Sequence, residues 1–451
     1  MPDVPVTAAP APAAEPMPAA DSPALAPAPA PGVRDLLRIP DYRRLYIGQA
    51  ISDVGDGMTY LALFLLVLNL TGSTALIALM SILVALPPVT IGLFAGAWAD
   101  RSDRRRIMVG SDALRAVLVV ALVPAAIAGA VPVIFALAFA QAVVGTFFSP
   151  ARSALVPRVV PADALLAANT LGQATRMIAG VAGAMVTGVV AGAAGVAWPV
   201  FLVDAATFLA SVVLVAGVTR AAGRPDAAAV ERIRNRGMGG AVVDGLRIIA
   251  QSRPLVAALG GVSVTMLGIG AINVLFVPFL VRELGGSPAW AGPMEGAQTL
   301  SMILASALIP SLAARRGAST VLTGGLAGIG VCVTLFGLVP APWAMLLLSF
   351  AVGWFVMPVQ AITVTIAQQA TTDETRGRVA GALNASIQTA SIASMAVAGI
   401  LADVVGMRTV FFAGGAIAMS AAVVAWVLFR TGNETGRAAS MPARPVGADG
   451  S

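Results

Sequence analysis

Gly96-Ala97-Trp98-Ala99-Asp100-Arg101-Ser102-Asp103-Arg104-Arg105-Arg106 sets six charged residues between two apolar runs, one near 75 to 99 and one near 107 to 129. Each run is close to the ~20 residues that cross a ~30 Å hydrocarbon core as a helix. A short charged turn between two such runs reads as the loop joining two membrane helices. Outward from this loop, ten further apolar runs fall near 44 to 69, 132 to 151, 165 to 193, 197 to 219, 255 to 280, 290 to 313, 318 to 339, 343 to 368, 378 to 402 and 408 to 430. A membrane barrel would need ~10-residue segments alternating in polarity, and none of these runs alternates. The expected fold is an all-α membrane protein of twelve transmembrane helices.

Composition agrees: 58% of the 451 residues are hydrophobic and 11% charged, against about 25% charged in soluble domains. A formal charge of +6 could suggest nucleic-acid binding, which needs basic residues clustered on a phosphate-tracking face. Here they fall in short loops instead. All 28 are arginine, and 24 of them lie on one side when loops are numbered alternately from the first helix. The positive-inside rule makes that side, with both termini, cytoplasmic. Residues 1 to 40, almost wholly Pro and Ala up to residue 32, are expected to form a disordered cytoplasmic tail and no signal peptide.

Absent residue types narrow the chemistry. Without lysine there is no Gly-x-x-x-x-Gly-Lys phosphate loop. Without histidine, a proton carrier near neutral pH must be a carboxylate. Cys332 is the one cysteine, so no internal disulfide or cysteine metal site is possible. No metal cluster or nucleophile-base constellation is visible, and neither an enzyme nor a cofactor is expected.

The longest interior loop, 220 to 253, carries Arg232, Arg234 and Arg236 and an amphipathic stretch around Val242 to Ile249. It reads as a cytoplasmic linker between six-helix halves spanning 41 to 219 and 254 to 430, with 431 to 451 as a second cytoplasmic tail. Equal halves suggest a duplicated, pseudo-symmetric transporter with its site between them.

The Gly96 to Arg106 loop resembles the signature of the major facilitator superfamily. With Gly48-Gln49-Ala50-Ile51-Ser52-Asp53-Val54-Gly55-Asp56, Ser149-Pro150-Ala151-Arg152 and Arg376-Gly377-Arg378, it is similar to the drug:proton antiporter branch that contains macrolide and siderophore exporters. The resemblance covers residues 36 to 430. It implies a cytoplasmic latch in which Gly96, Asp100, Arg101, Arg104 and Arg105 meet the start of helix eleven at Gly377, broken when the transporter opens inward. Asp103 stands where members commonly carry Gly. Helix five holds Gly180, Ala184, Gly188 and Gly192 on one ridge, which should pack closely on a neighbour. Of the antiporter motif Gly-Pro-x-x-Gly-Gly only Gly180 is matched there.

Embedded ionisable groups mark the candidate site. Counted from Arg44, Asp53 and Asp56 lie roughly 13 and 18 Å deep at 1.5 Å per residue, share a helix face and should titrate as a coupled pair. Asp56, Asp53 and Glu295 are the proton-coupling candidates. Asp112 and Arg115 read as an ion pair within helix three, Asp204 as structural, and Arg176 as too deep to lack a partner. Gln141, Gln173, Arg176, Asn273, Gln298, Trp354, Gln360, Asn384 and Gln388 are the candidate cavity residues, suited with neighbouring Met and aromatic side chains to an amphiphilic molecule.

The expected function is proton-coupled efflux of drug-like compounds or siderophores by alternating access in the plasma membrane. Partners are the small molecule, protons and lipid, with no nucleic acid, and the chain is expected to act as a monomer. Import, lysolipid or metabolite transport, or a non-transporting sensor would share the same sequence features.

Overall fold

A computed structural model describes residues 33 to 224 and 241 to 439. The first 32 residues, the arginines at 232, 234 and 236 and the tail beyond 439 lie outside the described residues. Among the described residues the chain is helical and contains no strand.

Among the described residues eleven helices are long and apolar enough to cross a membrane, and twelve with the bent pair of α2 counted as one span. They are α1 (Pro40–Thr71), α2 (Thr74–Thr90, continued by Gly92–Arg101), α3 (Arg104–Ile127), α4 (Val131–Val159), α5 (Leu165–Ala194) and α6 (Pro199–Ala216), then α7 (Arg253–Pro278), α8 (Ala291–Arg316), α9 (Ala318–Phe336), α10 (Pro342–Gln369), α11 (Asp373–Val405) and α12 (Met407–Ala439). Large apolar side chains such as Val117, Leu209, Leu347 and Val404 remain exposed on the bundle's outer surface. A membrane protein turns such residues toward lipid, and its helices satisfy their own backbone groups there.

Three local features depart from the sequence reading. The span expected as one helix over 75 to 99 is broken, its two parts meeting at 53°. Pro87 and Pro88 sit just before the break; each removes an N–H donor and crowds the preceding turn. α4 runs on to Val159 through Pro150 and Pro157, so Arg152 belongs to a span and not to a loop. Residues 33 to 38, expected within a disordered tail, form a short helix that buries Leu36 against Tyr42 and Leu45.

The halves repeat one packing scheme. α1 packs on α5 and α6 as α7 packs on α11 and α12; α3 packs on α4 and α6 as α9 packs on α10 and α12; α2 packs on α4 as α8 packs on α10. Between halves the principal contacts are α2 with α11 and α5 with α8, which the same pseudo-symmetry interchanges. In the linker, the amphipathic stretch forms the helix Ala241–Gln251, which packs on α11 and buries Ile249.

Candidate translocation site

Between the halves lies a cavity of about 730 Å³, lined by Val84 and Pro88 of α2, Gly145 and Ser149 of α4, and Asn384 and Gln388 of α11. The lining runs from the middle of these helices toward their ends at the arginine-rich loops. At the opposite end the contacts that join the halves among the described residues include two that bear on the site. In the first, the Asp403 carboxylate at the end of α11 reaches the start of α2. It accepts from Ser73 Oγ at 3.1 Å, from the Thr74 and Ala75 backbone N–H groups at 3.3 and 3.1 Å, and from the Thr74 hydroxyl. A carboxylate at a helix N-terminus meets orphan N–H groups and the positive end of the helix dipole.

The second contact uses the small-residue ridge. A Cβ on Gly188 of α5 would stand 2.7 Å from the Pro288 carbonyl oxygen in the turn before α8, and one on Gly192 would stand 3.0 Å from Ser287 Oγ. At Gly188 and Gly192 the ridge therefore packs closely on the other half, whereas a Cβ on Gly180 would meet open space. Gly183, off the ridge by one residue, is pressed onto α1, where a Cβ would stand 2.6 Å from the Met58 nitrogen.

The charged groups gather in the first half. Arg115 donates to Asp56 in an ion pair between α3 and α1. The Asp56 side chain is 39% exposed and that of Arg115 only 9%, so the pair is reachable from the carboxylate side alone. The guanidinium lies 4.2 Å from the centroid of the Phe208 ring, a cation–π contact. Its Nε is 3.9 Å from where a Cβ on Gly145 would be, which puts it beside the cavity wall. The expected pair within α3 is thus secondary: Asp112 is 3.9 Å from Arg115 and accepts from Ser211 Oγ at 2.6 Å. Asp204 is fully buried and accepts from Thr59 at 2.6 Å and Thr207 at 3.1 Å.

Asp53, one turn before Asp56, faces α4. Arg152 lies 4.0 Å from its carboxylate and donates to the Gln49 side-chain oxygen at 3.3 Å. Each acid of the i,i+3 pair accordingly has its own arginine. A second cavity of about 330 Å³ opens beside Gln49 and Arg152 and includes Gln173. Gln141 is buried with its Oε1 lacking a hydrogen-bond partner, as is Arg176 Nε.

A third cavity, about 170 Å³, is shared by both halves: Tyr60 and Phe64 of α1, Asn273 and Phe276 of α7, and Glu295 and Gln298 of α8. Asn384 and Gln388 line the main cavity, whereas half-buried Trp354 and exposed Gln360 of α10 line none of the three.

The charged loop holds the first half together in this conformation. Asp103 is the N-cap of α3, accepting from the Arg106 N–H at 3.1 Å with extended backbone, a role an Asp performs better than Gly. Arg104 donates to the Arg224 carbonyl at 3.3 Å, and Arg105 donates to the Ala216 carbonyl at the end of α6. A Cβ on Gly96 would meet open space. Asp100 is half-buried and has no ion pair among the described residues, and Arg101 is exposed. Gly377 lies in the first turns of α11; the side chains of 376 to 378 are outside the described residues.

Sequence reasoning did not pair Arg152 with Asp53 or Arg115 with Asp56, and it passed over Asp403. A visible signal existed for Asp403, an acid closing one span, and Ser73-Thr74 opening another.

Residues 34 to 446 match the family described as transmembrane secretion effector. Macrolide efflux protein A of Streptococcus pyogenes is 22% identical over 389 residues, 84% of this chain and 94% of that protein. The multidrug efflux pump Tap of Mycolicibacterium fortuitum is 27% identical over 380 residues, covering 80% and 89% respectively. Among solved structures, the nucleoside transporter NupG superposes with a TM-score of 0.70 at 13% identity, over 86% of this chain and 98% of that one. A bacterial homologue of the human lysosomal transporter Spinster, solved inward-facing and unoccupied, gives 0.67 at 14% identity, over 87% and 97%. At such identities these structures speak to the fold alone. The chain belongs to the transmembrane secretion effector family of the major facilitator superfamily and is a membrane transporter, not an enzyme.

Proposed function

We propose that the chain exports amphiphilic small molecules across the plasma membrane by proton antiport, with its arginine-rich face and both termini in the cytoplasm. One observation carries this reading. The cavity between the halves lies on the arginine-rich side of the contacts that Asp403 and Gly188 make at the other end, an arrangement that supports one end state of an alternating-access cycle. The efflux proteins among its relatives support the direction.

In this reading Asp56 carries the coupled proton. In the present conformation Arg115 holds its carboxylate. Arrival of Arg115 expels the proton toward the cytoplasm; loading of a proton from outside releases Arg115 in the opposite state. Asp53 with Arg152 is the second acid of this half. Asp100 and the start of α11 near Gly377 form the latch of the opposite state; among the described residues, which leave out the side chains of 376 to 378, Asp100 has no ion pair. A membrane potential adds ~2.3 kcal/mol per charge per 100 mV to each net charge moved.

The test uses inside-out vesicles with an imposed proton gradient. Adding a macrolide to vesicles carrying the wild-type chain should release protons and drive uptake. Asp56→Asn should abolish concentrative uptake and retain substrate exchange. Wild-type uptake that survives full collapse of the gradient would refute proton coupling.

A further inference from the structure

Glu295 takes no part in the ion-paired cluster of the first half. It lies on α8, across the interface from α1, and neither an ion pair nor a hydrogen bond engages its carboxylate among the described residues. It opens instead on the 170 Å³ cavity whose other walls are Tyr60, Phe64, Asn273, Phe276 and Gln298. No basic residue lines that cavity.

Tyr60 and Phe64 form a tilted aromatic pair with ring centroids 4.8 Å apart, and Phe276 faces the same space from α7. A carboxylate in a membrane span is costly without a counter-ion, and aromatic faces attract cations through their quadrupole. A pocket combining one carboxylate, three aromatic rings and two amides is complementary to a positive charge surrounded by carbon. Drug-sized ligands fill roughly 300 to 1,000 Å³, so 170 Å³ accommodates a head group and not a whole molecule.

We propose that the cavity formed by Glu295, Tyr60, Phe64, Asn273, Phe276 and Gln298 is the subsite for a substituted ammonium head of an amphiphilic substrate. The proposal rests on the chain being an exporter of amphiphiles and assigns the chemical class it selects. Because α1 supplies one wall and α7 and α8 the others, rocking of the halves takes the cavity apart, so a bound cation is held in one state and released in the other. Glu295 is thereby a substrate counter-ion on one half, and Asp56 with Arg115 the proton site on the other.

The experiment measures binding of two dyes to the full chain in lipid nanodiscs by fluorescence: ethidium, a permanent cation, and Nile red, an uncharged amphiphile. Glu295→Gln should weaken ethidium by about tenfold or more, roughly the loss of 1.4 kcal/mol, and leave Nile red within about twofold. Phe276→Leu, which keeps the carboxylate, should weaken ethidium several-fold with the same selectivity. Unchanged Nile red binding reports that each variant is folded.

Equal loss of both dyes in Glu295→Gln, or loss of neither, overturns the subsite. Failure of the wild-type chain to bind either dye overturns the amphiphile reading and the subsite together. Binding is read without a gradient, so a failure of proton coupling leaves this test intact. In vesicles, Glu295→Gln should still release protons with Nile red as substrate; loss of that release would make Glu295 the proton carrier and overturn the assignment.

Discussion

The carboxylate of Asp403 at the end of α11 accepts from the backbone N–H of Ala75, 328 residues earlier, at 3.1 Å. It thereby caps α2 across the interface between the halves. Hydrogen bonds to a charged acceptor contribute about 1.5 to 3 kcal/mol each in folding, and this acid collects four. Asp403→Ala should therefore shift the population toward the state open on this face. Cys332 is the one cysteine and is buried, so Cys332→Ser gives a clean background for a reporter cysteine at Ala78, 2% exposed beneath the contact. We expect thiol labelling from this face to accelerate by about tenfold, the effect of ~1.4 kcal/mol. An unchanged rate would mean that the cap does not hold the halves together.

The other end of α2 carries the reciprocal relationship. Asp100 closes α2 at the arginine-rich end, the end at which α11 begins, as Asp403 closes α11 at the end where α2 begins, but in this conformation Asp100 has no ion pair among the described residues. Asp100→Asn should leave the stability of this conformation within about 0.5 kcal/mol of wild type, as for a surface change. It should also slow labelling of the Ala78 reporter, by depriving the opposite state of its latch. Three residues on, Asp103→Ala should cost about 1 kcal/mol in either state through loss of the α3 cap. Thermal unfolding in detergent separates the two, and equal destabilisation by both would contradict the assignment.

Two glycines on one helix should behave differently. A side chain at Gly183 meets the backbone of α1 within the same half, whereas one at Gly188 meets Pro288 and Ala289 on the other half. Bulk at Gly183 has no rigid-body escape, so Gly183→Val should lose several kcal/mol, as overpacked interiors do, and fail to accumulate as folded protein. Bulk at Gly188 is relieved when the halves rock, so Gly188→Leu should fold and label fast at the Ala78 reporter. Size-exclusion profiles with labelling rates test both. A Gly188→Leu chain that aggregates like Gly183→Val would show that the α5–α8 contact is part of the fixed fold.

What could be read from the sequence follows from how local each cause is. Hydrocarbon thickness acts on every span alone, so the twelve apolar runs and the Gly96 to Arg106 loop predict most helix ends to within about five residues, the exceptions being the C-terminal ends of α4 and α12. The apolar run over 132 to 151 stops at the charge of Arg152, whereas α4 continues through Pro150 and Pro157 to Val159, as a packed membrane bundle tolerates, and this places Arg152 beside Asp53 and not in a loop. The reverse held at Pro87-Pro88, where two consecutive losses of N–H end the helix. Partner choice was not legible: spacing offered Arg115 to Asp112 three residues away, whereas the tertiary fold gives it to Asp56, 59 residues away. The same applies to Asp403, whose cap exists only once the halves meet.

The Asp56–Arg115 pair separates structural from transport effects. Arg115 is 9% exposed, so removal of its partner leaves a buried charge with only Asp112 at 3.9 Å and the Phe208 ring. Breaking a fully buried pair costs about 3 to 5 kcal/mol, and the 39% exposure of Asp56 discounts this to about 1 to 2 kcal/mol. Asp56→Asn should therefore fold with modestly lowered stability. Arg115→Gln should cost more, because it leaves both Asp56 and the fully buried Asp112 without their cation. The double variant should recover about 1 kcal/mol relative to the sum of the singles, as groups in direct contact do. Neither single nor double variant should transport against a gradient, since the recovered stability restores no titratable group at position 56. Unfolding in a graded denaturing detergent measures the cycle. Strict additivity would place the two side chains out of contact in solution, and gradient-driven uptake by the double variant would remove Asp56 from the proton path.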